Sequence, residues 1–319
     1  MWAYGGTRTE MTPLKFASDP FMYTEYYAPR GRRRLMELGN TITSQYLSPE
    51  DHCIGILGEA GSGKSLIVRG MFPGLQLTND DEDVYTRPLP LMDHFESGRF
   101  RDHTYHMDVR FESAFTQPYR LAEAVRAAID AGRRVVIEHF NLLYPALGRN
   151  AELLVGIGEE VIVARPNIFG PKPTDIAQKV LRSIHYRRMV HTAEDLVCHI
   201  LDIDYGIPTS TLVHGDVKRG FLLEFEEKPS FSVEEVQKRA KEFIDAKLDV
   251  CYLDEHHIRI GDARIYCTGP RIHLRNTGDI QLFAMAPDFV YDPVRRGYML
   301  VGVVAKPERL DDLSDINKF

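Results

Sequence analysis

The hydrophobic pattern divides the chain into two textures. Over residues 51–165 short apolar runs alternate with amphipathic stretches. Residues 53–57 form a run of the kind buried in a parallel sheet, and 65–71 repeat with a helical period. Residues 74–78 read as a second strand and 104–111 alternate as another. Residues 118–131 place Leu121, Ala124, Val125 and Ala128 on one helical face, closed by Gly132. Residues 134–138 and 160–164 are further apolar strands, whereas 88–102 show no period and are expected to be irregular. Strands alternating with helices predict an α/β domain with a parallel sheet over residues 51–170.

The flanking segments differ. Residues 1–50 open with an arm rich in aromatics (Trp2, Tyr4, Phe16, Phe21, Tyr23, Tyr26, Tyr27), expected to pack onto the body. A helix is expected from about residue 30 to 46, with Leu35, Leu38 and Ile42 on one face. Beyond residue 174 the pattern predicts a long helix over 174–201, an alternating strand over 221–227, and a helix over 233–246 opened by a Ser232/Glu235 capping box. Short strands fill 250–304. This is the pattern of an α+β domain with an antiparallel sheet over 174–305, set off by the proline-rich segment 166–173 and followed by a tail, 306–319.

Composition changes this picture little. With 44% hydrophobic and 27% charged residues, both parts can bury a core. A net charge of −7 argues against binding nucleic acid through bulk electrostatics. Arg30, Arg32, Arg33 and Arg34 nevertheless form a local basic cluster, read either as a phosphate or RNA contact or as a solvated helix start. The four cysteines (Cys53, Cys198, Cys251, Cys267) show no C-x-x-C spacing, which suits a reducing, cytoplasmic setting. No stretch reads as a signal peptide and no apolar run approaches ~18 residues, so no membrane span is expected.

The most specific chemistry lies in Gly58, Glu59, Ala60, Gly61, Ser62, Gly63, Lys64 and Ser65, which fit G-x-x-x-x-G-K-[ST] between an expected strand and an expected helix. Glycines let the backbone turn its N–H groups onto phosphate oxygens, and the helix start adds partial positive charge. Lys64 can reach the β- and γ-phosphates, and the Ser65 hydroxyl can ligate Mg²⁺. The expected ligand is therefore ATP or GTP with Mg²⁺. The acidic run at Asp80, Asp81, Glu82 and Asp83 follows the expected second strand; Asp81 there is a base for a substrate hydroxyl, or the run is a solvated turn. Glu138 closes an apolar strand, the place for a second Mg²⁺ partner or for a helix cap.

These elements resemble the uridine kinase and phosphoribulokinase group of P-loop kinases. GEAGSGKS matches that group's loop, and the stretch from Asp81 to Tyr85 is similar to its Asp and Tyr after the second strand. Ile137-Glu138-His139 is similar to its strand-then-Glu-Gly element, with His139 in place of Gly. The resemblance implies a P-loop NTPase fold and kinase-like chemistry, with Lys64, Asp81 and Glu138 as catalytic residues and Ser65 and Glu138 on Mg²⁺.

Residues 185–283 resemble the second additional domain shared by threonyl- and alanyl-tRNA synthetases and by free-standing alanyl-tRNA editing proteins. His191-Thr192-Ala193-Glu194-Asp195-Leu196 is similar to H-T-A-x-H-L, and Cys267-Thr268-Gly269-Pro270-Arg271, followed by Asn276-Thr277-Gly278-Asp279-Ile280, is similar to C-x-G-P-H and N-T-G-E-I. The run from Gly215 to Phe225, followed by Ser232-Val233-Glu234-Glu235, is similar to the family's strand and helix. In that family three histidines and a cysteine form a tetrahedral site suited to Zn²⁺ or to activating water against an aminoacyl ester. Here Asp195 and Arg271 replace two histidines; Asp can ligate zinc, whereas Arg stays protonated and cannot. Two readings stand: a degenerate Zn²⁺ site of His191, Asp195, Cys267 and His273, or a core in which Asp195 and Arg271 replace the metal by an ion pair. Strict strand alternation would put His273 on the same face as Arg271.

The two resemblances together are similar to a family described by its alanine-tRNA synthetase second additional domain. Three functions are compatible with them. One is a Mg²⁺-dependent phosphotransferase or ATPase whose second domain recognises an amino acid, an aminoacyl ester or a tRNA end. Another is an aminoacyl-tRNA trans-editing hydrolase with a regulatory ATPase domain. The third is a nucleotide-gated sensor without catalysis.

Overall fold

The computed structural model of the chain describes residues 22–78, 89–269 and 271–304. Strand β1 (Met22–Tyr27) leads into helix α1 (Arg32–Tyr46), and β2 (Cys53–Gly58) leads through the glycine-rich loop into α2 (Lys64–Met71). Next come α3 (Pro90–Glu96), β3 (Thr104–Asp108), the single turn α4 (Val109–Glu112) and α5 (Pro118–Asp130). Strand β4 (Arg134–Glu138), α6 (Phe140–Leu147), β5 (Leu153–Ile157) and β6 (Glu160–Arg165) follow. A helix of 33 residues, α7 (Pro173–Tyr205), carries the chain to β7 (Val213–Val217), β8 (Gly220–Phe225) and α8 (Val233–Asp245). Six short strands complete it: β9 (Val250–Asp254), β10 (His257–Ile260), β11 (Ala263–Tyr266), β12 (Phe283–Met285), β13 (Val290–Asp292) and β14 (Gly297–Val304).

The first sheet has the order β1-β6-β5-β2-β4-β3. Strands β3, β4, β2 and β5 are parallel, but β6 runs antiparallel to β5, and β1 antiparallel to β6. The expected parallel sheet is therefore a mixed one. Only Gly158 and Glu159 separate β5 from β6, too few residues for the crossover that a parallel pair needs. The end of the aromatic arm then covers the open edge as β1.

Two neighbouring expectations also fail. Residues 74–78 form no strand; Leu77 is buried, but the Thr78 N–H donates to Nδ1 of His106 at 3.1 Å rather than to a sheet neighbour. Part of the segment expected to be irregular is α3, which starts on Pro90, where a missing N–H is no loss, and buries Leu91 and Met92.

Alternation along the central strands builds a core on each face. Cys53, Leu57, Val135, Ile137 and Leu154 pack with Leu121, Val125 and Phe140, whereas Ile54, Ile56, Val136 and Val155 pack with Leu35, Ile42, Ile67 and Val68. Helices α1 and α2 cover the second face backbone to backbone: a Cβ added at Gly39 would collide with the Ile67 carbonyl, and one at Gly70 with the Met36 carbonyl.

Helix α7 serves both parts of the chain. Its Ile176 and Val180 belong to the first core, and residues from Met189 to Leu201 belong to a second one with Phe221, Leu223, Val236 and Leu300. That second core lies on an antiparallel sheet, β12-β14-β8-β7, with β13 paired to β14. A separate antiparallel sheet, β11-β10-β9, buries Ile258, Ile260 and Ile265 beside Cys267. Among the described residues, no helix is long and apolar enough to cross a membrane.

Candidate functional site

Strands β2 and β4 are parallel neighbours with Ile56 level with Glu138, so the glycine-rich loop leaves the sheet beside that carboxylate. Gly61 and Gly63 have φ of 78° and 98°, values that favour glycine. At Gly61 the space is closed as well, because a Cβ would come within 2.7 Å of the Arg271 carbonyl oxygen. Glu59 faces Arg110 at 3.6 Å and Ala60 is exposed, while Ser62 is buried with its Oγ unpartnered.

Lys64, the first residue of α2, is buried, and its Nζ donates to the Glu59 carbonyl at 3.0 Å and lies 3.7 Å from Glu138 Oε2. Ser65 Oγ donates to Glu138 Oε1 at 3.1 Å. The sequence reading placed these three residues at one site, and the fold brings them together there. Asp81 and the rest of the acidic run lie outside the described residues.

Three further groups join them, none of which was expected as a site residue from the sequence. His106, on β3, accepts the Thr78 N–H at Nδ1, so its Nε2 carries the hydrogen and donates to Glu138 Oε1 at 3.3 Å. Burial alone would raise the Glu138 carboxyl, yet His106, Lys64 and Ser65 bring it down to about 2. Asp108 closes β3 level with Glu138, and its Oδ1 caps α4 by accepting the Phe111 N–H at 3.1 Å. His139 follows Glu138 with φ of 57°, and burial together with the Lys64 charge pushes its imidazole down to about 4, which leaves it neutral at pH 7. Ligand atoms of Asp108, Glu138 and His139 all lie within 4.8 Å of one another.

A second cluster forms on α7. His191 and Asp195, one turn apart, face Cys267 and His273. His191 Nε2 lies 3.3 Å from Cys267 Sγ, which is 3.8 Å from His273 Nε2, and the same His273 nitrogen is 2.8 Å from Asp195 Oδ2. Residues 271–274 are not a strand, so alternation does not govern them: His273 turns into the cluster, whereas the Arg271 guanidinium lies 4.9 Å from the Tyr252 ring centroid. Burial would raise the Asp195 carboxyl, but His191 and His273 hold it below its ordinary value. Burial and the nearby Asp195 push the Cys267 thiol far up, a cost that a cation among these donors would remove. Two imidazoles, a thiol and a carboxylate match zinc in number and type.

No protein-family model and no curated protein matches this chain.

Beside the second cluster is a cavity of about 170 Å³ lined by Arg34, His191, Asp195, His214, Tyr266 and Thr268. Its wall is a buried charge network. Arg30 Nε donates to Glu194 Oε2 at 2.7 Å, His214 Nδ1 lies 2.8 Å from Glu194 Oε1, and Arg30 also reaches Asp216 at 3.1 Å. Burial opposes every charge here, yet Arg30, His191 and His214 hold the Glu194 carboxyl well below its ordinary value, and Glu194 in return raises His214. The expected basic cluster at residues 30–34 is therefore split: Arg30 and Arg34 reach Asp216, while Arg33 is exposed beside Glu37.

The two sites share a support. Arg187, fully buried one turn before His191, donates from Nη1 to the Ser62 and Gly158 carbonyls at 2.8 and 3.1 Å, and from Nη2 to the Pro29 carbonyl at 2.8 Å. Burial and repulsion from Arg30 push this guanidinium down to about 9.

Proposed function

We propose that the chain binds a nucleoside triphosphate with Mg²⁺ at the glycine-rich loop and acts as a P-loop, kinase-like phosphotransferase or ATPase. The observation that carries this reading is the convergence of Lys64, Ser65 and Glu138 at the ends of two adjacent parallel strands. Loop amides and the Lys64 ammonium would bind the phosphates, with Lys64 exchanging its present carbonyl partner for phosphate oxygens. Ser65 and Glu138 would hold Mg²⁺, which neutralises charge on the transferred group. His106 would keep the carboxylate aimed at the loop. Catalysis is then chiefly positioning and charge stabilisation. The second domain, read as an editing-like fold, would supply the acceptor site for an amino acid, an aminoacyl ester or a tRNA end. The four free cysteines support a cytoplasmic setting. Calorimetry with Mg-ATP and Mg-GTP tests the reading: wild type should bind and turn over one of them, and Lys64→Ala should lose turnover with its fold intact. No heat from either nucleotide, or full turnover by that variant, defeats it.

A second reading rests on a separate observation, the four donors within 4.8 Å at His191, Asp195, Cys267 and His273. These residues would hold Zn²⁺, which polarises water or an ester carbonyl, and the chain would hydrolyse mischarged tRNA. Elemental analysis that finds no zinc in protein purified with the metal, together with no deacylation of alanyl- or seryl-tRNA, excludes it.

A further inference from the structure

We propose that Asp108, Glu138 and His139 form a binding site for a first-row divalent transition-metal ion such as Mn²⁺. It lies at the place where the nucleotide reading calls for Mg²⁺ and rests on that reading only for what the ion would serve. All three residues are at most 6% exposed, and their ligand atoms lie within 4.8 Å of one another. The fold builds this juxtaposition. Parallel pairing sets Asp108 level with Glu138 at the ends of β3 and β4. Successive residues of a strand point to opposite faces, which would separate Glu138 from His139. The left-handed conformation at His139 breaks that alternation and lets neighbouring residues share one site.

The His139 ring supplies the independent observation. His139 as a residue is 5% exposed, yet its ring makes no hydrogen bond among the described residues, and its ring nitrogen lies near two carboxylates. Polar groups with this little solvent access are ordinarily partnered by protein. A cation coordinated by both carboxylates would also take the imidazole nitrogen. That nitrogen sets the choice of ion: Mg²⁺ demands oxygen ligands in near-ideal octahedral geometry, whereas imidazole suits transition metals and carboxylates accept both.

The test is a Mn²⁺ titration of the full chain without nucleotide, with free ion read by electron paramagnetic resonance and Mg²⁺ added as competitor. His139→Gly is the informative variant, since glycine adopts φ of 57° readily; a thermal scan checks its fold. Cys267→Ser controls for the other cluster. Wild type and Cys267→Ser should bind Mn²⁺ in preference to Mg²⁺, and His139→Gly should weaken Mn²⁺ on the order of tenfold or more and narrow the preference. No Mn²⁺ binding by wild type, equal affinity in His139→Gly, or loss in Cys267→Ser instead would overturn the assignment. Nucleotide titrations separate the two claims. Mn²⁺ binding without triphosphate binding removes the nucleotide reading and leaves the metal site, whereas triphosphate and Mn²⁺ binding unchanged by His139→Gly does the reverse.

Discussion

Replacing Glu138 by Gln preserves the shape of the side chain and removes a charge that its surroundings favour. Ser65 Oγ and His106 Nε2 donate to Oε1 at 3.1 and 3.3 Å, and Lys64 Nζ lies 3.7 Å from Oε2. Against the effect of burial, these partners lower the carboxyl from 4.5 to about 2 in the folded chain. At ~1.4 kcal/mol per unit, the charged form is favoured by about 3 kcal/mol. A carboxyl depressed on folding stabilises the protein above its unfolded pKa, and the contribution is lost as pH falls through the folded value. Wild type should therefore exceed Glu138→Gln by about 3 kcal/mol near pH 7, by about 1 kcal/mol near pH 3 and by almost nothing near pH 2. Urea unfolding of both proteins across this range reads the difference, in which the other carboxylates cancel. Equal stability near pH 7, or a gap that persists undiminished near pH 2, would refute the reasoning.

Gly39→Ala should force α1 away from α2 and lower stability by about 1–3 kcal/mol, seen as a reduced Tm; an unchanged Tm would mean that the helices are not in backbone contact. Glu194→Ala should cost about 1–3 kcal/mol in urea unfolding near pH 7, because the buried Arg30 loses its closest carboxylate and keeps only Asp216. For the same network, raising the pH through the elevated His214 pKa should remove stability that is fully present below the imidazole's unfolded value, and His214→Phe should flatten that dependence. Cys267→Ser should lower zinc content after purification with the metal, whereas Cys198→Ser, equally buried but outside the cluster, should not.

The parts of the fold legible in the sequence are those with a strong local signal. The apolar run at β2, the helical face of α5 and the Ser232 cap of α8, whose Oγ accepts the Glu235 N–H, each follow from residues within a few positions. Sheet direction does not: β6 has the same apolar texture in either orientation, and the two-residue turn before it decides the outcome. At the glycine-rich loop, Lys64, Ser65 and Glu138 were readable because a motif and a strand end locate them. Asp108 was hidden inside an alternating run whose strand stops earlier than the alternation does, and the helical turn α4 begins there. His106 could not be assigned from spacing, since parallel register brings it to Glu138, and His139, though next in the chain, would point away from Glu138 in a regular strand. The His191 and Asp195 pair followed from helical spacing, whereas the approach of His273 depended on a segment without regular structure.

Arg187, His191 and the adjoining Glu194 and Asp195 occupy consecutive turns of one uninterrupted rod. Inserting or deleting a single residue between 187 and 195 would swing everything beyond it by about 100° around the axis, detaching either the guanidinium from the Ser62 carbonyl or the donors from Cys267. Surface connections elsewhere can lengthen at small expense, but this stretch works as a ruler whose graduations are counted in peptide units. The distance between the glycine-rich loop and the thiol cluster is thereby set by covalent arithmetic, and a tilt of the rod would register at both ends in the same instant.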